Sequence, residues 1–338
     1  MKLFKILPLI VVASLTACSS GEAFSEKTFY YFDTFVSMKT FNSNGHHNST
    51  LVSEIDRVLS HTDKVSDMYQ KRDIVGVYDL NHTNEKIEVD RDFYRLLAMA
   101  KETQMTAKYF NPFIGSLSIK WKEALEKGEV LSDTVIQEEL EKMNSSDLLL
   151  ESISGRYFAQ RTGEALIDLG AVAKGYAIER CLDLCSAFVP SDDYLINAGN
   201  SSILLGFNSE ERMGANKGEY IIKIKDLSNE TYLHEKYCVI SASGISEQKK
   251  TIDNVTYSHI INPYTGSAIS QYDAVIVIYK TIESLGKAGI FSDALSTSFM
   301  MASLDEIKEY DQASSKLDVI VIKDNAVLYQ SEGVELYH

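Results

Sequence analysis

The sequence predicts an α+β fold, a single compact unit of mixed helices and antiparallel-rich sheets. Three observations lead there. Helix-period and strand-period segments follow one another without a regular βαβ repeat, which disfavours a doubly wound parallel sheet. No internal repeat and no Pro- or Gly-rich linker divides the 338 residues. The composition, 45% hydrophobic and 24% charged with four prolines, is that of an ordinary globule with ample apolar content for a core.

The first residues stand apart from that unit. Lys2 and Lys5 precede an apolar run over 6–15 that is too short to cross a bilayer, the pattern of an export signal. The run ends in Leu15-Thr16-Ala17-Cys18, the small-residue pattern of a bacterial lipobox. Residues 1–17 are therefore expected to be removed and Cys18 to carry lipid. Residues 18–28 read as a polar tether and 29–338 as the folded domain, held outside the cytoplasm on a bacterial membrane without spanning it.

Within the domain, the aromatic and β-branched stretch 30–41 predicts the first strand. Leu51, Val52, Ile55, Val58 and Leu59 recur at helical spacing, as do Phe93, Leu96, Leu97 and Ala100 behind an N-cap at Asp90. Strand-like segments follow at 147–151, 194–196, 203–205, 220–224 and 237–241, with a helix from about 171 to 185 among them. The last third predicts a strand at 274–279, a helix at 291–303, a strand at 317–322 and a hairpin around Asp324-Asn325.

A net charge of −15 without a clustered Lys/Arg stripe argues against nucleic-acid binding. An anionic cofactor in such a chain needs a metal ion, a lysine or a helix N-terminus close by. With Cys18 assigned to lipid, Cys181, Cys185 and Cys238 leave an odd number and no disulfide framework. Cys181 and Cys185 lie four apart on a helix, and two ligands without a matching pair read as small buried residues before a zinc site.

Three segments carry candidate chemistry. In 167–177 an apolar run ends at Gly170 and a helix begins at once, so helix N-terminal amides and the Lys174 ammonium are available to a phosphate. It lacks the Gly-Lys-Ser/Thr ending of a Walker A loop, and by itself such a helix start serves structure as readily as binding. In Ser292-Asp293-Ala294-Leu295-Ser296-Thr297, Asp293 and Thr297 are four apart on one helix face, where their oxygens suit Mg²⁺ or a simple N-cap. In 258–266, His259 heads a short apolar strand that runs into a Pro turn, in reach of either a base role or a structural hydrogen bond.

Together and in this order, these segments resemble the ApbE family of bacterial FAD:protein FMN transferases. The family's Asp-Leu-Gly-Gly-x-Ala-Lys-Gly-Tyr-Ala run is similar to 168–177, its His-Ile-Ile-Asp-Pro-x-Thr-Gly run to 259–266, and its Ala-Asp-Ala-Leu-Ala-Thr-Ala run to 292–298. Fainter likenesses lie at Phe32-Asp33-Thr34, Phe110-Asn111-Pro112 and Asn197-Ala198-Gly199-Asn200, so the resemblance extends over about 29–333. It implies FAD held by Thr34, Lys174, Asn197, Gly199, Ser243, Gly244, His259 and Thr265. Mg²⁺ is implied at Asp293, Thr297 and the carbonyl of Ala173, and catalytic roles at His259, Lys174 and Asp168. The reaction implied is attack of a Thr or Ser hydroxyl of an extracytoplasmic acceptor protein on FAD, with release of AMP. The same site acting on water gives an FAD pyrophosphatase, and a site that only binds gives a flavin-binding lipoprotein. The chain departs from the family pattern at Asn262, Glu179, Asn200, Lys108 and Asn111.

Overall fold

In a computed structural model the described residues are 24–41, 49–189, 193–206, 218–225, 227–246, 249–268, 270–280 and 287–338. The export signal and Cys18 lie outside them. The stretch expected as one strand over 30–41 is a hairpin: β1 (Phe24–Tyr31) and β2 (Thr34–Phe41) pair antiparallel with Tyr31 opposite Thr34. Phe32 and Asp33 both adopt φ 55°, the left-handed pair that a two-residue turn between twisted strands requires. Asp33 is a residue that tolerates this region and Phe32 is not, so the turn carries only half of its usual local signal. β1 starts at Phe24, so the end of the segment read as a tether, 24–28, is strand.

α1 (Ser49–Ser66) buries the expected Leu51, Ile55, Val58 and Leu59 stripe. α2 (Val77–Asn81) and β3 (Ile87–Val89) lead to α3 (Arg91–Gln104), whose N-cap Asp90 accepts from the Phe93 amide at 2.8 Å. After a 3-10 turn at Pro112–Ile114 come α4 (Gly115–Lys127) and α5 (Asp133–Asn144), two helices the apolar pattern does not announce. β4 (Asp147–Ile153) and β5 (Arg156–Thr162) join β3 in a small sheet. α6 (Ala173–Phe188) then feeds β6 (Tyr194–Ala198), β7 (Ser202–Leu205), β8 (Tyr220–Ile224), β9 (Thr231–Glu235) and β10 (Cys238–Gly244). The hairpin β11 (Lys249–Ile252) and β12 (Val255–Ser258) precedes β13 (Ala274–Tyr279). α7 (Ala288–Phe299), α8 (Leu304–Ala313), β14 (Leu317–Lys323), β15 (Ala326–Gln330) and β16 (Leu336–Tyr337) complete the chain.

Eight strands form one sheet in the order β1-β2-β6-β7-β10-β13-β14-β15, with every neighbour antiparallel. Alternation sorts its side chains to two cores. Val36, Met38, Ile196 and Leu204 meet Ile55 and Leu59 of α1 and Ile178 and Leu182 of α6. Leu205, Ile240, Ile276 and Ile322 face the other way, onto Ile224 and Leu233 of the small sheet β16-β9-β8. A third cluster joins α3, α4 and α7 to the α7-facing side of β13 and β14, through Val275, Val277, Val319 and Val321.

α6 and α7 cross at Gly175 and Gly289. A Cβ on either glycine would collide with the backbone carbonyl of the other, so the close approach needs both. That crossing delivers Asp293 of α7 to the first turn of α6.

Candidate active site

A cleft of about 840 Å³ opens over the end of the central sheet, where the β1–β2 turn, the β6–β7 turn and the end of β10 meet the start of α6. Thr34, Asp168, Lys174, Asn197, Gly199, Ser243, Gly244, His259, Asp293 and Thr297 all line it. These positions are spread over most of the chain and are gathered by the sheet order.

At one end Asp293 is only 5% exposed. Its Oδ2 accepts from the Gly175 amide at 2.8 Å, and its Oδ1 from the Ser202 hydroxyl at 3.4 Å. Burial pushes its carboxyl up to about 6, opposed by the Lys174 ammonium and by those two donors. One turn along α7, Thr297 shares a hydrogen bond with Ser243 at 3.0 Å, and Ser243 also meets Ser296 at 2.9 Å. Among the described residues no three His, Cys, Asp or Glu side chains converge on a metal position. A buried carboxylate with neutral oxygens beside it instead suits Mg²⁺, a hard cation that completes its shell with water and phosphate oxygens.

The start of α6 differs from expectation. Val172 offers no side-chain cap, yet the Ala173 amide bonds the Leu169 carbonyl at 2.9 Å and the Gly175 amide goes to Asp293. These two amides are spent within the protein, which leaves the Lys174 side chain as the cation beside Asp293; Lys223 and Lys225 line the cleft from β8 and the residue after it. Ala173 itself is buried, directly before Lys174.

At the other end the segment before α6 is bracketed by Asn81, whose amide side chain bonds both the N–H and the C=O of Ile167 at 2.8 Å. Asp168 follows, its own amide bound to the Pro112 carbonyl at 2.8 Å. Its carboxyl is raised by burial, while the Gly170 amide at 2.8 Å, the Ser118 hydroxyl and the nearby His259 imidazole pull the other way. His259 is exposed on the cleft wall. It does not head a strand as expected: β12 ends at Ser258, and His259 opens an irregular loop. That loop is pinned by buried Ile260 and Ile261 and by the Trp121 indole, which donates to the Gly266 carbonyl at 2.7 Å.

The turn walls carry the departures without distortion. Asn262 Oδ1 accepts from the Tyr264 and Thr265 amides at 2.9 and 3.2 Å, work that needs an oxygen and not a charge. Asn200 takes φ 59° beside Gly199 at 64°, a conformation asparagine tolerates, and its side chain bonds Asn197 at 2.9 Å. Gly199 lies against Thr34 so closely that a Cβ there would strike the threonine side chain. Asn111 caps the 3-10 turn through the Phe113 amide at 2.9 Å, and Lys108 pairs with Glu306 at 2.6 Å. Of the residues expected to hold FAD or the metal, Thr265 and Ala173 are the two outside the cleft wall: Ala173 is buried at the start of α6, and the Thr265 hydroxyl accepts from the Ser267 amide at 3.3 Å inside the turn. Ser118, Ser202 and Tyr109 join the site with no sequence signal, because tertiary packing alone brings them there.

This architecture is that of the flavin transferases among solved structures. The ApbE protein from Thermotoga maritima superposes with a TM-score of 0.74 at 24% identity, covering 91% of this chain and 97% of that one. The flavin transferase ApbE from Vibrio cholerae gives 0.69 at 20% identity, covering 92% and 98%. The chain belongs to the ApbE family, whose pattern it matches over residues 32–321. A protein of Chlamydia trachomatis named FAD:protein FMN transferase is 24% identical over 281 residues, 81% of this chain and 82% of that one. One of the same name from Treponema pallidum is 26% identical over 192 residues, and the chain spans only 53% of that relative's length.

Proposed function

We propose that this protein transfers FMN from FAD to a Thr or Ser hydroxyl of an extracytoplasmic acceptor protein, with Mg²⁺ and with release of AMP, while anchored to the membrane through Cys18. The observation that carries the reading is that one cleft gathers an anion-handling set, Lys174, Asp293 and Thr297, and a proton-handling pair, Asp168 and His259. Asp293, Thr297 and the Ala173 carbonyl would hold the cation, which supplies charge neutralisation at the pyrophosphate. Lys174 binds the same anion from the protein side. His259, exposed and beside the Asp168 carboxyl, accepts the proton of the incoming hydroxyl. The hydroxyl oxygen bonds to the FMN-side phosphorus as the bridging P–O bond breaks, and AMP leaves with that electron pair.

The test is incubation with FAD, Mg²⁺ and a threonine-bearing acceptor, followed by flavin fluorescence on a denaturing gel. Labelled acceptor and stoichiometric AMP are expected. Asp293→Ala should abolish both. His259→Ala should slow transfer about a hundredfold with FAD affinity changed far less. AMP and free FMN at equal rates with and without acceptor, and no labelled protein, would establish the hydrolase instead.

A further inference from the structure

We propose that Tyr264, braced by Tyr109, is the docking surface on which the acceptor polypeptide is held as its hydroxyl reaches His259, with Tyr69 offering a second exposed ring near Asp168. This rests on the transfer reading above. Tyr264 belongs to the same loop as His259, is 61% exposed, and borders the cleft without lining it: Pro263 before it and Tyr109 against its ring both belong to the wall. An exposed aromatic is ordinary. This one is held in place: its hydroxyl donates to the Lys108 carbonyl at 2.9 Å, and its ring stands edge-on to Tyr109, centroids 5.6 Å apart at 90°.

Tyr109 is itself fixed. Its amide donates to Ser298 Oγ at 2.9 Å and its hydroxyl to Glu306 at 3.2 Å, so the pair is tied to α7 and α8. On the Asp168 side of the same end, Tyr69 is 55% exposed, with the Lys122 ammonium 5.0 Å from its ring centre. Its phenol is close enough to Asp168 to feel that carboxylate. The His259 loop thus carries a fixed, amphipathic ring, and a second exposed ring lies near Asp168.

The occupant follows from position. The wall of the cleft assigned to FAD includes neither Tyr264 nor Tyr69, so both rings stay outside the cofactor's own lining, while His259 is exposed to an incoming nucleophile. Water would gain nothing from such a rim. A polypeptide would, since pre-ordered aromatic side chains contribute contact area with little rotamer entropy left to lose and dominate interface energetics.

The probe is a library of synthetic dodecapeptides with a central threonine, incubated with FAD and Mg²⁺ and read by mass spectrometry for FMN-peptides. At sub-saturating peptide, Tyr264→Ala should lower labelling about tenfold or more through KM for the peptides, with FAD affinity, read from flavin fluorescence, unchanged. Tyr264→Phe keeps the ring and should stay within about threefold of the unaltered protein, which also controls for folding. Equal labelling by Tyr264→Ala, or a parallel loss of FAD affinity, overturns the docking surface while leaving the transfer reading intact. Absence of labelling by the unaltered protein, with AMP still released, removes both.

Discussion

Glu179 shows what one buried side chain can impose. It is 1% exposed where α6 crosses α7, neither oxygen has a full hydrogen bond, and Arg95 reaches Oε1 only at 3.5 Å. Burial pushes its carboxyl from 4.5 up to about 7; Arg95, the Ile290 amide, which approaches without reaching hydrogen-bond geometry, and Arg180 oppose the rise, and Asp183 adds to it. Below the ordinary value both folded and unfolded chains hold the proton. As pH climbs from 4.5 to about 7 the unfolded chain releases it first, so stability falls across that window by at most about 3 kcal/mol. Thermal unfolding at about pH 5 and about pH 7.5 should therefore show a smaller decline in Glu179→Gln than in the unaltered protein. Parallel declines would place the dependence elsewhere. At this scale the contiguous motifs were legible, since Asp168, Lys174, His259, Asp293 and Thr297 all reach one cleft. The meaning of the departures was not. A lost carboxylate at Asn262 looks costly in sequence, yet in the fold that position only has to accept two turn amides.

Among the elements, the crossing of α6 and α7 controls the site. Gly289→Ala should push the helices apart at a cost of about 1–3 kcal/mol, the usual range for overpacking a tight contact. Calorimetry should find a lower Tm and a weakened gain in Tm on adding FAD with Mg²⁺, because Asp293 rides on the displaced helix. An unchanged Tm would mean the helices separate freely. Periodicity exposed the amphipathic helices with strong stripes, α1 and α3, and the buried strands β13 and β14. It did not expose α4, whose buried face is only Gly115, Leu117, Trp121 and Ala124, or α5, whose buried face includes Glu139. Nor did it expose the turn at Phe32–Asp33, where tertiary fit overrides residue preference.

For the molecule as a whole, the export signal and lipobox predict that Cys18 fixes the chain to a membrane, and no helix among the described residues is long and apolar enough to cross one. Cys18→Ala should appear in the soluble fraction, checked by membrane fractionation. Continued dependence on detergent would assign the attachment to another part of the chain. The contour from Cys18 to Phe24 is short at ~3.5 Å per residue, so the anchor would keep the hairpin that walls the cleft close to the lipid surface.

That hairpin also sets a condition on how the protein is made. Its inner strand pairs with β6, Val36 opposite Ala198, with α1 to α6 and the small β3-β5-β4 sheet threaded between. A nascent chain that has not yet produced β6 holds, besides the outer edge of β1, the β2 edge bare, and such an edge recruits a neighbouring chain when left waiting. Closing that edge is what brings Thr34 onto Gly199, so the step that protects the growing chain from aggregation also completes its nucleotide cleft.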